Sequence, residues 1–104
     1  MAKAKKYYNK KNRLIAKCDL VLDSSGTCRG EIVAGGRRGA ANRTATVDGN
    51  TVTFGQVYSD RFQRDTRTFE GYEDAVKFAL SYVDLAFDFL SESAFSNARE
   101  EIIN

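Results

Sequence analysis

The sequence predicts an α+β fold, with an antiparallel sheet of four or five strands packed on one long C-terminal helix plus a short terminal helix. Residues 71–90 contain a long run of apolar residues at helical spacing. Residues 14–69 instead alternate in short runs, separated by Gly, Ser, Asn and Asp at turn positions. A chain of 104 residues suits a single domain with one hydrophobic core.

Residues 1–13 are predicted to form a basic N-terminal arm, and residues 14–104 a single α+β domain. The arm holds six Lys or Arg residues and no acid, and like charges repel one another. Two adjacent aromatic residues, Tyr7 and Tyr8, interrupt this run. Aromatic rings among lysines are typical of contacts with single-stranded nucleic acid. A solvated tail whose tyrosines fold back on the sheet is the alternative interpretation.

Residues 14–23 and 28–34 are predicted as the first two strands of the domain, joined by the turn Ser24-Ser25-Gly26. A register that keeps apolar and small residues on one face pairs Leu22 with Cys28, Leu20 with Gly30, Cys18 with Ile32 and Ala16 with Ala34. It leaves Asp19 opposite Glu31. Because Cys18 and Cys28 are not paired, we expect two free core thiols.

Residues 43–47 and 51–58 flank Asp48-Gly49-Asn50, a strong hairpin signal. Two registers are possible, with the turn at 48–49 or at 49–50. The second keeps each face uniform, so it is predicted: Val47 faces Val52, Ala45 faces Phe54 and Thr46 faces Thr53. Residues 62–69 follow as a short edge strand, protected by charged side chains.

Residues 35–42, between the two hairpins, are rich in glycine, with Arg37 and Arg38 at the tip and Arg43 just after them. A backbone without side chains can approach a phosphate closely, and arginine offers a two-pronged donor. This Gly-Arg loop is therefore a candidate phosphate contact. An ordinary flexible loop that its arginines keep soluble is the alternative.

The helix is predicted to begin after Gly71 as N-cap, with Glu73 and Asp74 in its first turn. It has two apolar stripes. The first comprises Tyr72, Val76, Ala79, Val83, Ala86 and Leu90, and the second comprises Phe78, Tyr82, Leu85 and Phe89. One sheet face covers one stripe. The second stripe is therefore a candidate homodimer face, unless the terminal segment with Phe95, Ala98 and Ile102 covers it.

The charge is unevenly distributed. Residues 1–69 hold 14 Lys or Arg against 6 Asp or Glu, whereas residues 70–104 hold 2 against 8. We expect a basic strand half and an acidic helical half. Such asymmetry indicates a charged partner, unless the two halves simply attract each other.

No catalytic chemistry is evident. The chain has no His, its two Cys lie ten residues apart, and it has no nucleotide-binding glycine motif. We therefore expect no enzyme activity, no cofactor and no metal. The N-terminus has no apolar signal-peptide run and the chain has no apolar membrane span, so we expect a cytoplasmic protein, in the host cytoplasm if it is viral.

These observations favour a protein that binds nucleic acid or a nucleoprotein complex. The predicted contact residues are Lys5, Lys6, Tyr7, Tyr8, Lys10, Lys11, Arg13, Arg37, Arg38 and Arg43. The order of several strands followed by a helix is similar to that of small single-strand-binding and transcription-cofactor folds, and of many small phage proteins that block host machinery. That second likeness implies the alternative: an inhibitor of a nucleic-acid-processing complex, such as a CRISPR effector, through protein–protein contact.

Overall fold

The computed structural model describes residues 2–32, 42–58, 61–84 and 98–104. Within them, one seven-stranded antiparallel sheet carries one helix. The elements are β1 (Ala4–Tyr8), β2 (Leu14–Asp19), β3 (Thr27–Ile32), β4 (Arg43–Asp48), β5 (Thr51–Tyr58), β6 (Arg61–Thr68), α1 (Tyr72–Tyr82) and β7 (Arg99–Ile103). The α+β class is confirmed, whereas the predicted strand number was too low.

The strand order across the sheet is β6-β5-β4-β3-β2-β1-β7. Strands β1 to β6 therefore each pair with their neighbours in the chain, and β7 returns to pair with β1. Helix α1 packs on one face of this sheet, over β4 and β5.

The segment predicted as a basic arm contains β1, the second strand from one edge of the sheet. β1 lies between β2 and β7, and its Lys6 lies opposite Glu101 of β7. Tyr7 is buried at 3% exposure and lies opposite Glu100. The acidic strand and the burial of one tyrosine explain why this run of lysines forms a strand, although like charges alone favour a mobile segment.

The predicted short terminal helix is also corrected, because residues 99–103 form strand β7. Ala98 packs against the buried cluster around Tyr7 and Ile15, and Ile102 is 46% exposed. Phe95 lies outside the described residues. The helical spacing of three apolar residues favoured a helix. A strand forms instead, because the backbone N–H and C=O groups at the outer edge of β1 need hydrogen-bonding partners.

The β2–β3 register differs from the predicted one by two residues. Cys18 lies opposite Gly30 and Ala16 opposite Ile32. A shift of two keeps every side chain on its face, so the apolar pattern cannot distinguish the two registers. The observed one places Lys17 opposite Glu31, which removes the unfavourable Asp19–Glu31 pair.

The β4–β5 hairpin is confirmed as predicted. Ala45 lies opposite Phe54, Thr46 opposite Thr53 and Val47 opposite Val52. Gly49 has a φ of 62°, which only glycine adopts without strain. β6 then forms the outer strand of the sheet beyond β5, as predicted for the edge.

Helix α1 begins after Gly71 and ends at Tyr82, and Glu73 and Asp74 lie in its first turn. Its buried residues Ala75 and Ala79 are small, so the helix lies close to the sheet, where Val52 and Cys28 are fully buried. Of the predicted first stripe, Ala79 and Val83 are fully buried, whereas Tyr72 is 58% exposed and Ala75, which was not assigned to it, is buried. Residues 85–97, which include Ala86 and Leu90, lie outside the described part of the chain.

Both cysteines are free and buried, as predicted. Cys18 lies opposite Gly30, and Cys28 opposite Ala45. Burial, with Asp19 and Asp23 nearby, raises the pKa of the Cys28 thiol to about 12. This thiol is therefore a structural side chain rather than a nucleophile.

Candidate nucleic-acid interface

The antiparallel topology sorts charged residues to the two ends of the sheet. Five cations lie at or beside the end where β1 leads into β2 and β3 leads towards β4: Lys10, Lys11, Arg13, Arg43 and Arg99. We call this the basic end. The opposite end, which we call the acidic end, holds five exposed acids: Asp23, Asp48, Glu70, Glu73 and Asp74. Each end also holds opposite charges, with Lys3 and Arg29 near the acidic end and Glu31 and Glu100 near the basic end, so the separation along the strands is partial.

The connection between β1 and β2 is ordered by its own asparagines. The Asn9 side-chain oxygen accepts hydrogen bonds from the backbone N–H groups of Lys11 at 2.9 Å and Arg13 at 3.0 Å. Asn12 has a φ of 62°, a left-handed conformation that asparagine tolerates better than most residues. Lys10, Lys11 and Arg13 are all exposed. The loop therefore presents three cations on a defined backbone.

Arg99 of strand β7 contacts the β1–β2 loop and stabilises it. Its guanidinium lies 4.5 Å from the centroid of the Tyr8 ring and donates hydrogen bonds to the side chain of Asn12 and to Glu101. Tyr8 is half-buried. One face of its ring is thus covered by Arg99, which leaves less of the ring for stacking on a base.

Lys5 and Tyr7, two other predicted contact residues, are engaged within the molecule. Lys5 Nζ donates to Asp84 Oδ2 at 2.9 Å, just beyond the end of α1. Burial is the largest single effect and lowers the pKa of Lys5, but the hydrogen bond to Asp84 and the negative charges of Asp84 and Glu100 together outweigh it, so the pKa of the amine is raised. The Tyr7 hydroxyl donates to Glu100 at 3.4 Å. Burial and the charge of Glu100 raise the pKa of Tyr7.

Arg43 contacts the C-terminal end of helix α1. Its Nη1 donates to the Tyr82 carbonyl at 3.0 Å, and its guanidinium lies 5.1 Å from the centroid of the Tyr82 ring. A cation at a helix C-terminus satisfies a free carbonyl and interacts favourably with the helix dipole. Arg43 thus has a structural role at the basic end. Arg37 and Arg38 lie outside the described residues.

The candidate dimer face is partly covered by the chain itself. The ring of Phe54 contacts those of Phe78 and Tyr82, each with centroids 4.9 Å apart and edge-to-face geometry. Phe69 lies 5.1 Å from Phe78, and Arg67 lies over both rings. The other two members, Leu85 and Phe89, lie outside the described residues.

The face opposite the helix is polar over β3 to β6. On this face, strands β3 to β6 carry seven threonines: Thr27, Thr44, Thr46, Thr51, Thr53, Thr66 and Thr68. Thr27 and Thr46 hydroxyls are hydrogen-bonded at 2.9 Å, and Thr51 and Thr68 hydroxyls at 3.3 Å. None of the side chains that the structure describes on this face of β3 to β6 is aromatic, so these positions offer no base-stacking surface of the kind that sheet-based RNA readers use.

Two lysines outside the predicted set share a groove with a predicted one. Lys3 and Lys17 line it together with Lys6. Lys6 was singled out because of the basic run, but its proximity to Lys17 depends on the β1–β2 pairing. No local signal marks this pair, because residues 4–8 read AKKYY and do not alternate between apolar and polar residues.

Within the described residues, no group of three or more Cys, Asp or Glu side chains is placed to bind a metal ion. No helix in the same part of the chain has the length and apolar character needed to cross a membrane. No protein-family model, curated protein sequence or solved structure matches the chain.

Proposed function

We propose that the protein is a non-catalytic binding protein that engages nucleic acid, or a nucleoprotein complex, through the basic end of its sheet. The observation that supports this proposal best is the ordered β1–β2 loop, where Asn9 positions the backbone beneath three exposed cations. Cations on a preorganised backbone bind phosphates without a large loss of conformational entropy. Arg37 and Arg38, which lie outside the described residues, stay in the proposal as contacts predicted from the sequence.

Lys5, Tyr7 and Arg43 take a smaller part in this proposal than the sequence suggests. Their side chains are engaged by Asp84, Glu100 and Tyr82 within the molecule. The proposed contact therefore rests on Lys10, Lys11 and Arg13, with backbone phosphates rather than bases as the recognised groups. Binding of this kind has little sequence preference and depends strongly on salt.

The test is fluorescence anisotropy with labelled single-stranded and duplex oligonucleotides over a series of salt concentrations. Lys10→Ala/Lys11→Ala should weaken binding and lower the salt slope by roughly 1.4, because each lost single-strand phosphate contact contributes about 0.7. Arg37→Ala/Arg38→Ala should act in the same direction. Neither pair should change the melting temperature much, since exposed charges contribute little to stability.

The control removes another exposed lysine, in Lys77→Ala. This residue lies on helix α1, away from the basic end, so the variant should bind oligonucleotides nearly as the wild type does. Equal weakening in both variants would indicate a general effect of net charge. An affinity independent of salt would contradict the proposal.

The alternative, an inhibitor that docks on a protein, is favoured by the acidic end. Five exposed carboxylates gathered there could occupy a phosphate-binding surface of a nucleic-acid-processing complex. A pull-down from host lysate with and without nuclease separates the two. A partner that is retained after nuclease treatment, and lost on Glu73→Gln/Asp74→Gln substitution, would support the inhibitor.

A further inference from the structure

A groove of about 330 Å³ lies on the sheet face opposite the helix, away from the basic end. It is bounded by β1, β2, the last residue of β7 and the segment after β2. Its volume is at the lower end of the range of small-molecule pockets, roughly 300–1,000 Å³. Ala4, Val21 and Ile103 form apolar parts of its wall, and Lys3, Lys6 and Lys17 form its positively charged part.

Two of these lysines are direct cross-strand neighbours, since Lys6 of β1 lies opposite Lys17 of β2. Like charges at such positions destabilise a sheet. Each lysine also has a glutamate on its outer side, Glu101 beside Lys6 and Glu31 beside Lys17. However, Glu101 is paired with Arg99 at 3.2 Å, and no ion pair of Lys6 or Lys17 exists within the described residues.

The two carboxylates in the groove are held by other donors. Asp19 accepts a hydrogen bond from the Arg29 backbone at 2.8 Å. Asp23 accepts hydrogen bonds from Ser25 and Thr27 and an ion-pair contact from Arg29 at 3.4 Å. Their charges offset part of the lysine charge, but neither forms an ion pair with the groove lysines. Three ammonium groups therefore line this groove without ion-pair partners among the described residues.

We propose that this groove binds the phosphate monoester group of a small molecule. The monoester is a dianion near neutral pH, which matches two adjacent ammonium groups better than a carboxylate does. Lysine binds phosphate as a point charge. Lys6 and Lys17 hold the phosphate, Lys3 adds charge at the rim, and the organic part of the ligand lies against Ala4, Val21 and Ile103. This site is separate from the basic end and does not depend on its function.

Calorimetric titration at constant ionic strength tests the site with three probes: phenyl phosphate, inorganic phosphate and benzoate. Phenyl phosphate should bind most tightly, because it alone combines a dianion with an apolar group. Lys6→Gln/Lys17→Gln should weaken phenyl phosphate binding roughly tenfold or more, from the loss of two charge-assisted contacts. The same variant without ligand should melt no lower than the wild type, because the like-charge pair is removed.

The matched control, Lys10→Gln/Lys11→Gln, should bind phenyl phosphate as the wild type does while losing affinity for oligonucleotides. An oligonucleotide with and without a 5′-phosphate distinguishes the source of the monoester. A gain from the 5′-phosphate that disappears in Lys6→Gln/Lys17→Gln would identify a nucleic-acid end as the ligand. Equal binding of benzoate and phenyl phosphate, or an unchanged affinity for phenyl phosphate in Lys6→Gln/Lys17→Gln, would overturn the proposal.

Discussion

Gly26 lies in the turn before β3, where its carbonyl accepts a hydrogen bond from the Val47 backbone at 2.8 Å. Its φ is +80°, and a Cβ atom built there would lie 2.6 Å from the Val47 carbonyl oxygen. Gly49 has a similar φ of +62° but nothing within 4 Å of such a Cβ. Both glycines adopt a positive φ, and Gly26 in addition has no room for a Cβ atom.

We predict that Gly26→Ala destabilises the protein by clearly more than Gly49→Ala. The strain of a left-handed alanine costs about 1–2 kcal/mol at either position. At Gly26 the contact with a backbone oxygen must also be relieved by moving β4. Urea unfolding of the two variants measures the difference. Equal losses of stability would show that β4 moves aside at no cost.

Asp23 holds the same turn through its carboxylate. Hydrogen bonds from the Ser25 side chain and the Thr27 backbone lower the pKa of Asp23 to about 2. A lowered folded-state pKa stabilises the fold above the unfolded-state value of about 3.9. This contribution is lost as the pH falls through the folded-state value, so the turn should weaken in acid.

We expect the stability difference between the wild type and Asp23→Asn to be largest above about pH 4, the unfolded-state value, and to disappear as the pH approaches about 2. Thermal unfolding of both proteins over this interval provides the measurement. Ser24→Ala is a control in the same turn, since Ser24 is exposed and makes none of these hydrogen bonds. A constant difference between wild type and Asp23→Asn would mean that the carboxylate charge contributes nothing.

At the scale of elements, β7 is the strand on which the outer part of the sheet depends. It pairs with all five residues of β1, and Lys3 donates a further backbone hydrogen bond to Ile103 at 2.7 Å. Without β7, the backbone of β1 would form an open edge, and Tyr7 would lose its contact with Glu100.

Truncation after Ala98 should therefore destabilise the protein by several kcal/mol, on the scale of a core truncation of about 2–5 kcal/mol, and should promote aggregation through the open edge. Glu100→Gln/Glu101→Gln keeps the strand but removes its charges, and it should cost less, about 0–1 kcal/mol for each exposed pair. Chemical unfolding and light scattering measure both effects. A truncated protein as stable as the wild type would contradict the role given to β7.

The elements that were predicted well from the sequence are those bounded by residues with a clear preference for turns or helix caps. The β4–β5 register followed from Gly49-Asn50 and from matching faces, and Gly71 was found as the start of the helix. The predicted β2–β3 register was wrong by two residues, because a shift of two preserves the faces and the apolar pattern cannot detect it. β1 and β7 were missed because each needs the other: a basic and an acidic segment pair only when the fold brings them together.

The candidate sites were likewise predicted only in part. The cations of the β1–β2 loop are evident from the sequence, but their order depends on Asn9, whose hydrogen bonds cannot be seen in a charge count. The roles of Lys5 and Arg43 depend on Asp84 and Tyr82, which are 79 and 39 residues away. Contacts over such distances follow from topology, which local patterns do not specify.

At the scale of the whole molecule, charge separation along the strands gives the protein a dipole. A polyanion is attracted to the basic end, so the field orients the encounter. This steering acts over about a Debye length, near 8 Å at physiological salt. It therefore affects association rates more than the strength of the final contact.

The oligomeric state is a further whole-molecule prediction. The homodimer was predicted because a second apolar stripe needed cover. Within the chain, Phe54 and Phe69 contact two of its members, Phe78 and Tyr82. Leu85 and Phe89, which lie outside the described residues, remain predicted members of the dimer face. Sedimentation of the wild type and Phe89→Glu tests this, with Tyr72→Glu as an exposed-aromatic control: loss of dimer in the first variant alone is the expected result.

The return of β7 to β1 has a consequence for how the chain acquires its structure. Hairpins between successive strands can form as soon as each pair has left the ribosome, since loop closure between near neighbours is fast. Tyr7 and Glu100, however, are 93 residues apart. β1 must therefore wait, with its outer edge unpaired, while the intervening chain is synthesised at about 5–20 residues per second. For several seconds, each nascent chain exposes a basic strand edge that only its own distant acidic strand is built to cover.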